Sequence, residues 1–216
     1  MAAAFITFEG LDGSGKSTHL VRAGEWMRAR GYDVCCTKEP GGTPLGDAIR
    51  ELFLDPRWER FEPRVEALLV FASRRQHLAE VIEPSLAAGT WVLCDRFTDS
   101  SLAYQGTGRG LPREWLQGLD ILATDGRRPD HTLLFDLPPE AARERGQSPT
   151  RRQSEGGLDR FDALDLAFYQ RVREGFLALA EDDPKRFRLI DSRGDVETTW
   201  RQVEDTLAEI VDGAGE

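Results

Sequence analysis

No run of apolar residues in this chain approaches the ~20 needed to cross a bilayer. The opening stretch Met1-Ala2-Ala3-Ala4-Phe5-Ile6 has neither the basic start nor the apolar region of an export signal. No membrane attachment is expected, and the cytoplasm is the expected location. Cysteine is scarce. Cys35, Cys36 and Cys94 match no zinc motif, and an odd number builds no disulfide framework, so they read as reduced core thiols. Positive charge is also short: the formal net charge is -10. That speaks against broad nucleic-acid binding, which rests on accumulated Lys and Arg. Phosphate binding, if present, has to come from local cation clusters. Repeats, low-complexity tracts and long linkers are absent, so residues 1–216 read as a single domain.

What the chain does have is alternation. Short apolar runs at Ala3 to Glu9, Val34 to Thr37, Trp91 to Cys94, His131 to Leu137 and Phe187 to Ile190 read as strands. Between them, helices are expected over Lys16 to Arg30, Thr43-Pro44 to Leu54, Arg64 to Ala88, Leu111 to Ala123, Pro139 to Arg145, Asp162 to Ala180 and Asp195 to Val211. Gly31 and Gly89 stand where helices should stop, and a glycine-rich turn is expected before Leu111. Strands separated by helices imply an α/β fold. Its parallel sheet is covered on both faces and takes ligands at the carboxyl ends of its strands.

The first strand runs into Gly10-Leu11-Asp12-Gly13-Ser14-Gly15-Lys16-Ser17-Thr18, which satisfies G-x-x-x-x-G-K-[ST] with a strand before and a helix after. Glycines let successive backbone N–H groups turn inward around phosphate oxygens, and the helix adds its positive end. Lys16 is placed for the β- and γ-phosphates and Ser17 for Mg²⁺, so the loop reads as a cradle for ATP. A carboxylate beside phosphates is unfavourable, so Asp12 is either a turn cap or a contact to a second substrate. Asp95-Arg96 ends the third strand, where an Asp can organise Mg²⁺ and an Arg can fork onto a phosphate. A second cation group, Arg143, Arg145, Arg151, Arg152 and Arg160, surrounds the polar stretch Gln147 to Leu158. Residues of about 143–160 fit an arginine-rich lid that brings a cation to the transferring phosphoryl group. Glu39-Pro40-Gly41-Gly42-Thr43 is either a plain turn or a loop facing an acceptor.

Taken together, F-E-G-L-D-G-S-G-K-S-T at 8–18, K-E-P-G-G-T at 38–43, C-D-R-F-T-D-S-S-L-A-Y-Q-G at 94–106 and L-D-R-F at 158–161 resemble thymidylate kinases of the bacterial type, from Phe5 to about Val211. The resemblance implies a nucleoside-monophosphate kinase fold with a five-stranded parallel sheet and a mobile lid. It also implies a homodimer, Mg²⁺, and transfer from ATP to dTMP. By the same resemblance Asp12 meets the sugar 3′-hydroxyl, Glu39 and Pro40 border the acceptor, and Arg96 takes the dTMP phosphate. Ser101 contacts the base, Tyr104 packs on the sugar, and Gln105 is expected beside them among the dTMP-binding residues. Arg151 and Arg152 are the lid arginines expected at the transferred group. Ser14 agrees with the small residue usual in the bacterial type.

One feature departs from the family pattern, which has Phe four residues before Arg on the long helix with the ring on thymine. Gln76-His77-Leu78 sets the register and puts that Arg at Arg74, which leaves Val70 at the Phe position and Phe71 beside it. Phe71 is expected to stack on the base and Arg74 to contact base or phosphate, with Arg75 as the alternative. The lid is several residues longer than usual. Two other functions use the same loop: another nucleoside-monophosphate or deoxynucleoside kinase, and a phosphate-loop ATPase or switch. No guanine-reading N-K-x-D occurs.

Overall fold

The computed structural model describes residues 3–58, 61–146, 160–161 and 164–213. Five strands, β1 (Phe5–Gly10), β2 (Val34–Lys38), β3 (Trp91–Asp95), β4 (His131–Asp136) and β5 (Phe187–Asp191), form one sheet in the order β2-β3-β1-β4-β5. Every pairing is parallel. All six residues of the central β1 are buried, as two-sided cover requires. Their side chains alternate between the faces. Ile6 and Phe8 pack with Leu20 and Met27 of α1 (Lys16–Arg28) and with Trp200 and Val203 of α9 (Val196–Gly213). Phe5 points the other way, edge-on to Phe97 at 5.0 Å.

The remaining helices begin where the sequence supplies caps. Thr43 accepts the Gly46 N–H at the start of α2 (Pro44–Leu54). Glu62 accepts from Arg64 and Val65 at the start of α3 (Pro63–His77). The expected helix over Arg64 to Ala88 is realised as α3 continuing through a wider π-helical stretch, Leu78–Ile82, into α4 (Glu83–Ala87). Gly89, at φ +77°, ends it. Beyond these come α6 (Arg113–Thr124), α7 (Pro139–Gly146) and α8 (Leu166–Asp182), which Asp165 caps through the Phe168 N–H.

The glycine-rich turn expected before Leu111 is confined to Arg109-Gly110, where Gly110 has φ +79°, and the glycines ahead of it are helical. α5 (Thr98–Ser101) leads directly into a π-helical stretch, Leu102–Gly108. Its glycines serve packing. A Cβ on Gly108 would stand 2.9 Å from Phe168 and Val172 of α8, and one on Gly175 of α8 would stand 2.6 Å from Thr107. The two helical segments lie against each other at distances only glycine allows. The turn is shorter than the glycines suggest because their low helix propensity says nothing of a packing role that no local signal reports.

Alanine at Gly108 or Gly175 should therefore destabilise the fold by about 1–3 kcal/mol through overpacking. Alanine at Gly118, mid-helix in α6 with nothing within 4 Å of its Cβ, should be neutral or stabilise by up to about 1 kcal/mol. Urea unfolding of the three variants checks both signs.

Candidate active site

The carboxyl ends of β1, β2 and β3 open onto one cavity of about 1070 Å³. On the β1 side, Gly10, Gly13 and Gly15 have φ of +137°, +85° and +92°. A side chain at Gly10 would also meet the Phe135 carbonyl at 2.4 Å, so this turn needs glycine twice over. The loop closes with Ser14 N–H on the Leu11 carbonyl at 3.2 Å, and Lys16 Nζ reaches back to the same carbonyl at 2.9 Å. Asp12, Gly13, Gly15, Lys16, Ser17 and Thr18 line the cavity, whereas the Leu11 side chain is buried in the core. Ser17 Oγ donates to Asp95 Oδ2 at 2.5 Å, so the hydroxyl and carboxylate expected to hold Mg²⁺ are neighbours.

Arg96 follows Asp95 with φ +72°, a left-handed conformation that aims its side chain back at the loop. Nη1 donates to the Gly10 carbonyl at 3.0 Å and to Ser100 Oγ at 2.9 Å. Nη2 donates to Asp12 Oδ1 at 2.7 Å and to the Tyr104 hydroxyl at 3.3 Å. Its guanidinium carbon lies 4.9 Å from the centre of the Tyr104 ring. Burial pushes the Tyr104 phenol far above its ordinary range and keeps it neutral. Asp12, Arg96 and Tyr104, up to 92 residues apart in sequence, are thus one cluster. Arg50 of α2, absent from the sequence expectations, joins the cavity wall while donating to the Pro40 carbonyl at 3.1 Å.

The wall farther from the loop is built on Arg74, which is 1% exposed. Its Nε donates to Glu39 Oε2 at 2.7 Å, and Nη2 donates to the Phe97 carbonyl and to Ser101 Oγ, both at 3.0 Å. Nη1 is buried with no hydrogen-bond partner among the described residues. Glu39 is held from its other side by His77 Nδ1 at 3.0 Å, and His77 Nε2 pairs with Thr37 at 2.6 Å. Glu39, Pro40, Arg74, Ser101, Tyr104 and Gln105 all line the cavity, and Gln105 is anchored on Glu66 at 2.8 Å.

The structure separates the alternatives on the long helix. Arg75 leaves the cavity and pairs with Asp125 at 2.5 Å. Phe71, expected to stack on a base, is a core residue at 2% exposure and lies beneath the Arg74 guanidinium at 4.5 Å. Val70 lines the cavity in its place. One helical residue is a rotation of about 100°, so Val70 and Arg74, four apart, share the cavity face and Phe71 turns from it.

The arginines grouped as a lid also divide. Arg143 is exposed on α7, and Arg145 lines the cavity while donating to the carbonyls of Ser192, Arg193 and Gly194. Arg160 is not a solvated cation. It donates to Glu66 at 2.8 Å and to the Phe53 carbonyl at 2.5 Å, with Phe53, Phe61 and Phe161 around its guanidinium. Arg151 and Arg152 lie outside the described residues.

Residues 8–203 match the family model described as Thymidylate kinase. The chain is 49% identical over 212 residues to a thymidylate kinase of Paraburkholderia phytofirmans, covering 94% of this chain and 97% of that protein. It is 46% identical over 210 residues to one of Methylobacillus flagellatus, covering 97% and 99%. It is 50% identical over 192 residues to one of Desulfovibrio desulfuricans, covering 87% of each. With a matched region that holds the loop and every cavity wall named above, the chain belongs to the thymidylate kinase family.

Proposed function

We infer that the chain transfers the γ-phosphoryl group of ATP to the phosphate of dTMP, giving ADP and dTDP. One observation carries this reading. A single cavity has a triphosphate loop on one side of Asp12 and, on the other, an arginine, a tyrosine and a buried guanidinium donor. A hydrolase or switch needs only the first half.

The acceptor is already an anion, so the reaction needs little proton chemistry. Positioning and charge neutralisation supply the rate. Lys16 and the loop N–H groups orient the donor phosphates. Arg96 presents a fork to the acceptor phosphate, Tyr104 bounds the sugar, and Asp12 offers an acceptor for the 3′-hydroxyl. Arg74 Nη1, an unused buried N–H, favours a ring that offers a carbonyl oxygen and disfavours an exocyclic amine at the same place. Thymine meets that requirement and cytosine does not. The stacking proposed for Phe71 passes to the aliphatic Val70 as a packing contact. Ser17 and Asp95 offer oxygen donors, which suits Mg²⁺ shared with substrate phosphates. When bound, the ion offsets charge on the β- and γ-oxygens. A cation from the segment of about 143–160, with Arg151 and Arg152 the candidates, completes the set. Residues 1–216 serve as one kinase domain.

The proposed assembly is a homodimer. Val65 and Leu68 of α3 are 44% and 50% exposed, and Ile121 and Leu122 of the adjoining α6 are 61% and 79% exposed. An apolar patch spread over two packed helices fits a second copy of the same surface. No helix among the described residues is long and apolar enough to cross a membrane, which supports the proposed cytoplasmic location.

In a coupled ADP-release assay, dTMP should be turned over well and dCMP and dGMP poorly. A preference for a purine monophosphate overturns the base reading. Lys16→Ala should lower kcat by ~10²-fold or more while the circular-dichroism spectrum is retained. Arg96→Ala should raise the KM for dTMP more than that for ATP. Leu68→Glu with Leu122→Glu should convert a dimer to a monomer in sedimentation equilibrium, and a wild-type monomer refutes the assembly.

A further inference from the structure

The last side chain of β1 before the loop belongs to Glu9, which is fully buried and lies outside the cavity wall. Strand alternation turns it away from Ile6 and Phe8 toward the segment that follows β3. One oxygen, Oε1, accepts the Phe97 backbone N–H at 2.7 Å. The other, Oε2, accepts the Ser100 hydroxyl at 2.6 Å. Ser100 Oγ in turn accepts Nη1 of Arg96 at 2.9 Å. The hydroxyl has one proton to give, and it goes to Glu9, which leaves a lone pair facing the guanidinium. The carboxyl therefore grips Arg96 from two directions: the peptide that follows its left-handed backbone, and the hydroxyl against which its side chain rests.

We propose that Glu9 is a positioning residue for the acceptor, setting the backbone turn and guanidinium direction of Arg96 through the Phe97 N–H and the Ser100 hydroxyl. The proposal rests on Arg96 receiving the acceptor phosphate. Glu9 touches neither substrate side of the cavity and acts only through this link.

The surroundings disfavour the charged form of the carboxyl. Around Glu9 stand Cys94 of β3, Arg96 and Asp99 of the following segment and Tyr104 of the π-helical stretch. Arg186 is engaged on the far side of Asp99. Burial first, and then Asp99, push Glu9 up to about 7, against the pull of Arg96 and its two hydrogen bonds. A carboxyl whose pKa is raised by folding gives up its proton more readily in the unfolded chain. Its contribution to stability therefore falls as pH climbs from about 4.5 to 7 and stays low above that.

Glutamine is the discriminating substitution. In Glu9→Gln the carbonyl can still accept from Phe97, but the amide then donates to Ser100 Oγ, which already faces Arg96, and the Ser100 proton loses its acceptor. With the amide reversed, two N–H donors confront each other at Phe97. At pH 8 we expect Glu9→Gln to raise the KM for dTMP about tenfold, leave that for ATP within about twofold, and melt no lower than wild type. Ser100→Ala should shift the same constant in the same direction, and it carries the test if Glu9→Gln fails to fold. The double variant should be no worse than the stronger single, since both act through one link. Three results overturn the proposal: an unchanged KM for dTMP, a parallel rise in both KM values with a lower melting temperature, or additive effects in the double variant. Arg96→Ala measured alongside separates the two layers. If its KM for dTMP is unchanged, the acceptor role of Arg96 falls and the proposal with it. If that KM rises while Glu9→Gln is silent, only the role of Glu9 falls.

Discussion

The Arg96 guanidinium stands where the ends of β1 and β3 meet. It is bonded to the carbonyl of Gly10 and the carboxylate of Asp12 on one strand's loop, and to the hydroxyls of Ser100 and Tyr104 on the other's. Its own backbone is in a left-handed conformation that costs energy in any residue but glycine. That conformation persists because the bonds made by the side chain and by the next peptide require it. The glycine-rich loop and the segment after β3 are thereby tied together at one point. On the proposed reading, the geometry between the two phosphates is set by the protein before either arrives, which is what a reaction limited by positioning needs.

Away from this point, buried charge is arranged in hubs. Glu39 is shared by Arg74 and His77, and Glu66 by Arg109, Arg160 and Gln105. Such groups add little net stability compared with apolar packing, because desolvation offsets most of the attraction. They do fix direction. Arg74 spends two of its nitrogens on the protein and leaves the third buried without a hydrogen-bond partner among the described residues, and Gln105 is oriented by Glu66.

The parts legible in the sequence were those encoded locally. The glycine spacing at 10–15, the flanking strand and helix, and the apolar run into Asp95-Arg96 each lie within a dozen residues, and the fold brings them together at the strand ends as the alternation implies. What escaped depends on rotation or on distant partners. One residue of helical turn decides whether Val70 or Phe71 meets the cavity. Gly108 read as part of the turn that Gly110 does form, because its partners on α8 are some 60 residues away in sequence. Arg160, after a polar stretch, read as one of the lid's cations, while its partner Glu66 sits 94 residues earlier. Glu9 sat in plain view within the loop motif, but nothing near it in sequence announces Phe97 and Ser100.

The close seating of the Leu102–Gly108 stretch on α8 has a consequence for how such an enzyme can diverge. Tyr104 lies on that stretch and packs against Phe168 and Phe176 of the same helix. With Gly108 and Gly175 leaving no slack between the two segments, the ring cannot shift unless the helix does. With Tyr104 bounding the sugar as proposed, the width of that slot is delegated to α8. Drift in an element that contributes no side chain to the cavity wall among the described residues can retune which sugars are admitted, with every residue of the phosphate chemistry left intact.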